Sequence, residues 1–446
     1  MTHSIIARIK TNTLKKTREP LNLICILVIL SSFVVLFVGG ILKSQTIFYD
    51  FYFFYTGGEL WNAGLDAYDS TLFNTHLTHL MGIEFPDDVY VYPPQSSFLF
   101  SLLAQYPLEQ AHTIVMISNV LLLIIVTGLM AFIISWYRPV GLVEITLLSG
   151  FLMTNFARIS LRHSQWSILI YTFLLLTFIF HHYHRESLAG VSLAFISLKP
   201  SFLPLYIIYY LLQKSYRLIF AVLLAGTLLT VVPLLITQAP VIETISNWLQ
   251  ALSEKTNAGG LNSTAPSAPF QYNATMIHLA PLVYRIFNAQ STLATMTLWL
   301  ALLTLIGWAS FMIYSSPPSP QTELLDFGIV SGLSLIAVYH RDYDIFLLFP
   351  GLLFIFLYAR TVVDKKQQWR WGVFIVAVLL GSTLGSSIVL QLAYKFSALQ
   401  NSYLWRLLIP TPWISASVVL VLLWMKFRLS PHQLSAIDNS INDKVL

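Results

Sequence analysis

The sequence predicts an all-α polytopic membrane protein with about 12 transmembrane helices and additional helices in its extracytoplasmic loops. Of its 446 residues, 56% are hydrophobic and only 10% are charged, whereas a soluble domain carries roughly 25% charged residues. The mean hydropathy is +0.70. A chain with so few charges cannot form a hydrated surface, so lipid must serve as its solvent. The net charge of +5 therefore does not indicate nucleic-acid binding.

The orientation of the first span follows from the charges on its two sides. Residues 1–20 contain five Lys or Arg and one acid, and an apolar run over 21–42 follows without an obvious cleavage site. Residues 43–93 contain one Lys and seven acids. The positive-inside rule therefore predicts a retained first span, a cytoplasmic N-terminus and an outer acidic loop. Cys25 is the only cysteine, which excludes a disulfide within the chain.

The remaining apolar segments form a series of spans, several of them short or interrupted by proline. The first group lies at about 112–136, 141–157, 166–180, 187–214 (a short out-and-back pair broken at Pro200) and 218–236, and later spans start near 291, 323, 343, 371 and 407. The predicted organisation is a cytoplasmic N-terminus (1–20), one transmembrane domain (21–428) with outer loops at about 43–93 and 238–270, and a cytoplasmic tail (429–446). The sequence shows no internal repeat of the kind found in many transporters.

Ionisable residues collect at one predicted depth, at the outer ends of the spans. Such residues are costly near lipid and usually functional. A polar cavity open to the outside would collect them. They are Asp50, Glu59, Asp87, Asp88, Arg158, Arg162, His163, Lys199, His340, Arg341, Asp342 and Asp344.

Asp50 is the candidate general base. It follows directly on the first span, in the aromatic stretch "TIFYDFYFFYTGGELWNAG". Desolvation by these aromatic residues is expected to raise the pKa of its carboxyl, which would suit it to accept a proton. The alternative is that Asp50 only caps an interfacial helix whose aromatic residues anchor in the headgroup region.

Three basic residues are candidates to hold a phosphate. Arg158 and Arg162 are four residues apart, so one helical face could carry both, and guanidinium groups match phosphate geometry. Lys199 lies at the break of the short helical pair. The alternative for all three is that they reach lipid headgroups at the membrane edge.

The segment "VYHRDYDIFLLFP" adds His340 as a second catalytic candidate and Arg341 as a further phosphate contact. Its D-x-D pattern is weak evidence for a metal, and no second cluster with ligand spacing is visible, so no metal or other cofactor is expected. An ion pair of Arg341 with either acid is the alternative. "VYVYPPQSSF" and "QYNATMIHL" supply candidate sugar contacts, although both could simply begin helices.

Five blocks of the sequence, taken in order, resemble those of glycosyltransferase family 87. They are "YDFYFFYTGGELWNAGLDAYD", "YVYPPQSSFLFSLLAQYPLE", "RHSQWSILI", "ISLKP" and "YHRDYDIFLLFP", and they cover about 45–350. In the third block Ser164 and Trp166 replace the usual residues around Gln165. The resemblance implies the GT-C architecture and an inverting transfer from a polyprenyl-phosphate sugar at the outer face.

The resemblance also implies roles for individual residues. Asp50 stands where the family has its base, and His340 where it has a functional histidine. With the residue candidates above, the expected substrate pocket comprises Tyr55, Glu59, Tyr90, Tyr92, Gln165, Asn273 and Asp344.

The expected function is therefore a hexosyltransferase, with mannose favoured, in a bacterial inner (plasma) membrane with a periplasmic active site. Its partners would be a polyprenyl-phosphate sugar, a lipid or glycan acceptor and membrane lipids, with no nucleic acid. The alternatives are a transporter or flippase of lipid-linked sugars, or a protein similar to an O-antigen ligase or polymerase. Against the last, the loop 238–270 holds one Lys and no Arg or His.

Overall fold

A computed structural model describes residues 22–42, 49–82, 89–256, 263–264, 275–288, 291–316, 319–361, 363–395 and 409–429. Over these residues the regular structure is helical, and one isolated antiparallel bridge joins Met276 to Arg341. The predicted all-α fold is confirmed for this part of the chain. Asp87, Asp88 and Asn273 lie outside the described residues.

The first half of the chain forms twelve helices over its described residues. They are α1 (Asn22–Ile41, ending in the π-turn Phe37–Ile41), α2 (Tyr49–Asn62), α3 (Ser70–Met81), α4 (Ser97–Leu103), α5 (Leu108–Tyr137), α6 (Leu142–Leu152), α7 (Asn155–Arg162), α8 (Ser167–His182), α9 (Glu186–Phe195), α10 (Leu203–Leu212), α11 (Tyr216–Ile236) and α12 (Val241–Thr256).

The second half adds six helices within the described ranges. They are α13 (Leu279–Ile286), α14 (Thr292–Ser315), α15 (Pro320–Ala337), α16 (Phe349–Thr361), α17 (Lys365–Lys395) and α18 (Pro410–Arg428). Short 3-10 turns cover Pro94–Ser96, Ile196–Leu198, Pro200–Phe202 and Asp342–Leu348.

Five described helices are long and apolar enough to cross a membrane: Asn22–Ile41, Leu108–Tyr137, Tyr216–Ile236, Thr292–Ser315 and Asp342–Thr361. The pair Leu142–Leu152 and Phe156–Arg162, bent by 45°, makes a possible sixth. Three more apolar helices, Ser167–His182, Glu186–Leu198 and Pro200–Leu212, are too short to count as full spans. The predicted number of about 12 spans is not confirmed by this count.

Burial separates the helices that face lipid from those that form the core. Only 17% of the apolar window of α1 or α11 is buried inside the protein, whereas 89% of the Asp342–Thr361 window is buried. Helices α8, α15, α17 and α18 pack against that span and share one hydrophobic core with it. The site described below lies at one end of this bundle.

The chain around Pro200 runs out and back, as the sequence predicts. Glu186, at the start of α9, pairs with His181 at 3.0 Å, and the Tyr210 ring near the end of α10 lies 4.9 Å from the same His181 ring. Lys199, at the turn between them, lies instead beside Ser167, at the opposite end of α8. The start of α9 and the end of α10 therefore lie at one end of the bundle, and Lys199, at the turn between the two helices, lies at the other end.

The other end of the bundle carries a buried ion pair and a hydrogen-bonded histidine–glutamate pair. Lys426 of α18 lies 2.8 Å from Asp326 of α15, and both side chains are almost fully buried. Glu323 contacts His182 at 2.9 Å, and the His182 ring stacks on Trp136. These pairs tie together four helices that are distant in sequence.

Helices α15 and α16 make their closest approach at two glycines. A Cβ atom added to Gly328 would lie 2.8 Å from the backbone of Gly351, so even alanine does not fit without moving a helix. We expect Gly328→Ala to destabilise the protein by about 1–3 kcal/mol through overpacking. Thermal unfolding in detergent measures the loss. Gly226→Ala, at a position with open space around it, is the control and should leave the unfolding temperature unchanged or higher.

Candidate functional site

Asp50 lies in the first turn of α2, and its carboxylate contacts the turn between α7 and α8. Asp50 Oδ2 is 2.7 Å from His163 Nδ1, and about one third of each side chain is exposed. The Gln165 side chain also hydrogen-bonds this carboxylate. Asp50 is therefore held from two sides and remains accessible to a ligand.

A left-handed turn brings His163 and Gln165 to Asp50. Ser164 between them has φ of +54°, and the backbone N–H of Gln165 donates to the backbone carbonyl of Ser160 at 2.9 Å. Non-glycine residues in the left-handed region are uncommon and recur at functional sites. The tight reversal after α7 lets two side chains that are two residues apart reach one carboxylate.

The expected rise in the pKa of Asp50 is wrong. Burial does raise the pKa of this carboxyl, but hydrogen bonds from His163 and Gln165 and the charges of His163 and Arg341 bring it below its ordinary value. Desolvation is the largest single contribution to this pKa, but the interactions with His163, Gln165 and Arg341 together outweigh it. The carboxylate is thus ionised at neutral pH.

Asp344 is the centre of a buried polar network. Its Oδ1 accepts from Lys199 Nζ at 2.5 Å and from the Ser167 hydroxyl at 2.9 Å. Its Oδ2 lies 3.1 Å from His340 Nδ1 and accepts from the Arg341 amide at 3.3 Å. The Asp344 side chain is only 1% exposed. This carboxylate therefore holds both Lys199, a predicted phosphate contact, and His340, a predicted catalytic residue.

His340 is fully buried behind Asp344. Its ring packs edge-on against Phe202 at 4.5 Å, and the Ser334 backbone also forms a hydrogen bond with the ring. Burial lowers the pKa of His340 below its ordinary value although the neighbouring Asp344 raises it. Burial thus favours the neutral form of this imidazole.

Arg341 is fixed by an aromatic hydroxyl and by the segment after residue 274. Its Nε donates to the Tyr339 hydroxyl, and its Nη1 donates to Thr275 Oγ1 at 3.2 Å. Burial lowers the pKa of Arg341, but Tyr339, Tyr343 and the charge of Asp50 raise it above its ordinary value overall. The guanidinium is a permanent charge within electrostatic range of Asp50.

Arg158 and Arg162 share one face of α7, as predicted, and their charges interact. The aliphatic part of Arg158 packs against Gly39 of α1, and its charge interacts with Asp342. Arg158 thus lies between the first span and the Asp342–Leu348 turn, and Arg162 lies one helical turn further along α7. Neither is in the Asp344 network described above.

The aromatic pocket candidates divide into two groups. Tyr92 lies close enough to feel the Asp50 charge. The Tyr55 hydroxyl instead donates to the Tyr106 carbonyl at 2.9 Å, and Tyr90 is fully buried against Phe53.

Glu59 lies on the α3 side of α2, where its charge interacts with His76 and His79. The structure therefore brings Tyr92, Gln165 and Asp344 towards Asp50, and it does not bring Tyr55, Glu59 or Tyr90 there.

Three residues of the site were absent from the predicted set of contacts: His163, Ser167 and Tyr339. Their signal in the sequence was only their position, because each lies within two residues of a predicted contact, namely Gln165 or Arg341. Nothing local indicates that His163 pairs with a carboxylate 113 positions earlier.

Among the described residues, no group of three or more His, Cys, Asp or Glu side chains is placed to hold a metal ion. Of the D-x-D pair, Asp344 already contacts Lys199 and His340.

Comparison with known proteins identifies the family. The family model of glycosyltransferase family 87 matches residues 90–339, which is more than half of the chain. No curated protein and no solved structure matches the chain significantly. The matched region contains Arg158, Arg162, Gln165 and Lys199, and it ends one residue before His340. With several apolar helices of membrane-spanning length in addition, the chain belongs to glycosyltransferase family 87 and is a membrane glycosyltransferase.

Proposed function

We propose that the chain is an inverting hexosyltransferase with a polyprenyl-phosphate sugar as donor, mannose favoured, and a lipid- or glycan-linked acceptor at the outer face of a bacterial plasma membrane. The observation that carries this proposal is the Asp50 carboxylate, one-third exposed, 2.7 Å from His163 and within electrostatic range of Arg341 and Lys199. A base facing fixed cations is the arrangement that transfer from a lipid phosphate requires.

In the proposed reaction the acceptor hydroxyl oxygen attacks the anomeric carbon from the side of Asp50. The new glycosidic bond forms as the bond from that carbon to the phosphate oxygen breaks, and the electron pair leaves with polyprenyl phosphate. The hydroxyl proton passes to Asp50. Attack opposite to the leaving group inverts the configuration of the sugar.

The leaving phosphate gains charge and needs cations. Arg341 is suited to this role because Tyr339 and Thr275 hold its guanidinium in one place. Lys199 contributes less charge than the sequence suggests, since Asp344 lies 2.5 Å from its ammonium group. Arg158 and Arg162 extend the positive surface towards α1, where a polyprenyl chain in lipid could approach.

His340 acts in this proposal by positioning. It is fully buried and contacts Asp344, so it holds the carboxylate that orients Lys199.

His163 sets the acid limit of the reaction. Because its hydrogen bond and charge lower the pKa of Asp50, the base stays ionised to a lower pH. Removing His163 raises that pKa, so activity is lost at a higher pH as the pH falls. We expect His163→Ala to shift the acid limb of the kcat/KM profile upwards and to lower its plateau. An unchanged acid limb in the pH profile of the variant would exclude the pairing as a catalytic feature.

The proposed function is tested with purified protein and a panel of polyprenyl-phosphate sugars, each offered with lipid and glycan acceptors. Release of polyprenyl phosphate together with a new glycosidic bond is the expected result, with the mannose donor most active. Movement of the donor across vesicles without bond formation would favour a flippase instead. Transfer only from a nucleotide sugar would contradict the proposed donor.

A further inference from the structure

A polar cavity lies away from Asp50, between the end of α2 and the turn that joins α11 to α12. Its volume is about 150 Å³, and its polar lining includes Trp61, Asp66, Gln238, Glu243, Thr244 and Asn247. None of these residues takes part in the site described above. The cavity therefore needs its own explanation.

The walls of this cavity are tied together before any ligand binds. Asp66 accepts from the Asn247 side chain at 2.7 Å, which joins the loop after α2 to α12, and from the Tyr68 amide at 2.9 Å. Gly64 and Gln238, on opposite walls, both have left-handed backbone, with φ of +68° and +56°. Gln238 adopts this conformation without the freedom of a glycine.

The lining favours a hydroxyl-rich, uncharged ligand. Trp61 is only 4% exposed, and its indole N–H has no hydrogen-bond partner among the described residues. This N–H has less than 1 Å² of accessible surface and lies below the lining of the cavity, so the polar contacts to a ligand come from Asp66, Gln238 and Asn247. Glu243 can accept hydrogen bonds from the hydroxyl groups of the same ligand. No basic side chain lines the cavity, which disfavours a phosphate, and two carboxylates are fewer than a metal site generally requires.

The cavity is partly open, and its volume of about 150 Å³ provides room for a ligand of about one ring. Pockets for larger ligands usually measure about 300–1,000 Å³. Planar polar side chains, hydroxyls and an indole around a space of this size match a single sugar ring.

The cavity is separate from the reacting centre. Trp61 is eleven residues after Asp50 on the same helix, which is about 16 Å along the axis. Aromatic side chains fill the space between them, since a Cβ at Gly57 would lie 2.4 Å from the Tyr90 ring and Phe54 stacks on Phe100. A ligand in the cavity therefore cannot be the group that reacts at Asp50.

We propose that this cavity binds one neutral sugar ring of an extended acceptor, remote from the hydroxyl that reacts. The acceptor role rests on the proposed transferase function, whereas binding of a sugar does not. A remote contact of this kind selects acceptors that already carry several sugars. It makes the enzyme one that elongates an existing glycan.

Fluorine NMR on protein labelled with fluorotryptophan gives a direct readout of the cavity. The chain has 11 tryptophans, and the Trp61 resonance is identified by its loss in Trp61→Phe. The probes are methyl α-mannoside, methyl β-glucoside, methyl β-galactoside and mannotriose, each titrated without donor. We expect at least one of them to shift the Trp61 resonance saturably. Glu243→Gln should weaken that binding by about tenfold or more, the effect of a lost hydrogen bond to a charged group.

The matched control is Glu254→Gln, at the exposed far end of α12, where the carboxylate accepts from Gln250. It should bind the probes as the wild type does. A Trp61 resonance that no sugar moves would overturn the proposal, and so would one that only inorganic phosphate or magnesium moves.

Kinetics then test the acceptor role. Glu243→Gln should raise KM for an extended acceptor about tenfold with kcat unchanged, and it should leave KM for a monosaccharide acceptor unchanged. The acceptor role is overturned if Glu243→Gln has the same KM as the wild type for the extended acceptor and also for the monosaccharide acceptor. If the wild type transfers from no polyprenyl-phosphate sugar, the proposed function fails, while the titration still decides whether the cavity binds sugar.

Discussion

Asp50→Asn is expected to lower sugar transfer by about 10²–10⁴-fold, the usual contribution of acid–base catalysis, without loss of the folded protein. The amide keeps the size of the side chain and can still hydrogen-bond, but it cannot take a proton. The measurement is the single-turnover rate with a saturating polyprenyl-phosphate sugar. Donor affinity should change little, because Asp50 faces the acceptor in the proposed geometry.

Glu109→Gln is the matched control for Asp50→Asn. It also exchanges an acid for an amide, on an exposed part of the first turn of α5, and should leave transfer unchanged. A rate for Asp50→Asn within a few-fold of the wild type would rule out Asp50 as the base. An equal loss in Glu109→Gln would point to a general effect of surface charge instead.

Asp344→Asn should have the largest effect on stability. The Asp344 side chain is 1% exposed and accepts from Lys199, so the substitution leaves an ammonium group without its counter-charge. Breaking such a buried pair typically costs about 3–5 kcal/mol. The expected result is a large fall in the unfolding temperature in detergent, with transfer lost as Lys199 and His340 lose their common partner.

The double variant Lys199→Met with Asp344→Asn separates folding from function. Since it removes both charges, it should recover much of the stability that Asp344→Asn loses, but not the transfer activity. Recovery of activity along with stability would mean that the Lys199–Asp344 pair serves only the fold. No recovery of stability would mean that other partners of Asp344 dominate its contribution.

The sequence predicted the membrane class, the family and much of the polar site, because these depend on local composition and on ordered motifs. Costly charges at helix ends indicated Lys199, Arg341 and Asp344, and the structure brings them to one region. The out-and-back path around Pro200 was readable from two short apolar runs around a proline.

What the sequence could not show is which groups pair over long distances. The pKa of Asp50 depends on His163, 113 positions away, and the charge of Lys199 is offset by Asp344, 145 positions away. An apolar run predicts that a helix avoids water, but it does not show whether protein or lipid covers the helix. A short core helix and a lipid-facing span therefore have similar sequences. This is why Tyr55 and Tyr90 appeared to be pocket residues and why the number of spans was not established.

The buried Lys426–Asp326 pair has a consequence for biogenesis. Asp326 lies in α15, about a hundred positions before its partner in α18, near the C-terminal end of the chain. During synthesis Asp326 therefore has no counter-charge from Lys426 until the ribosome has made α18. Truncation before α18 would leave Asp326 without this counter-charge in a largely apolar helix, and we expect such a truncated chain to assemble poorly.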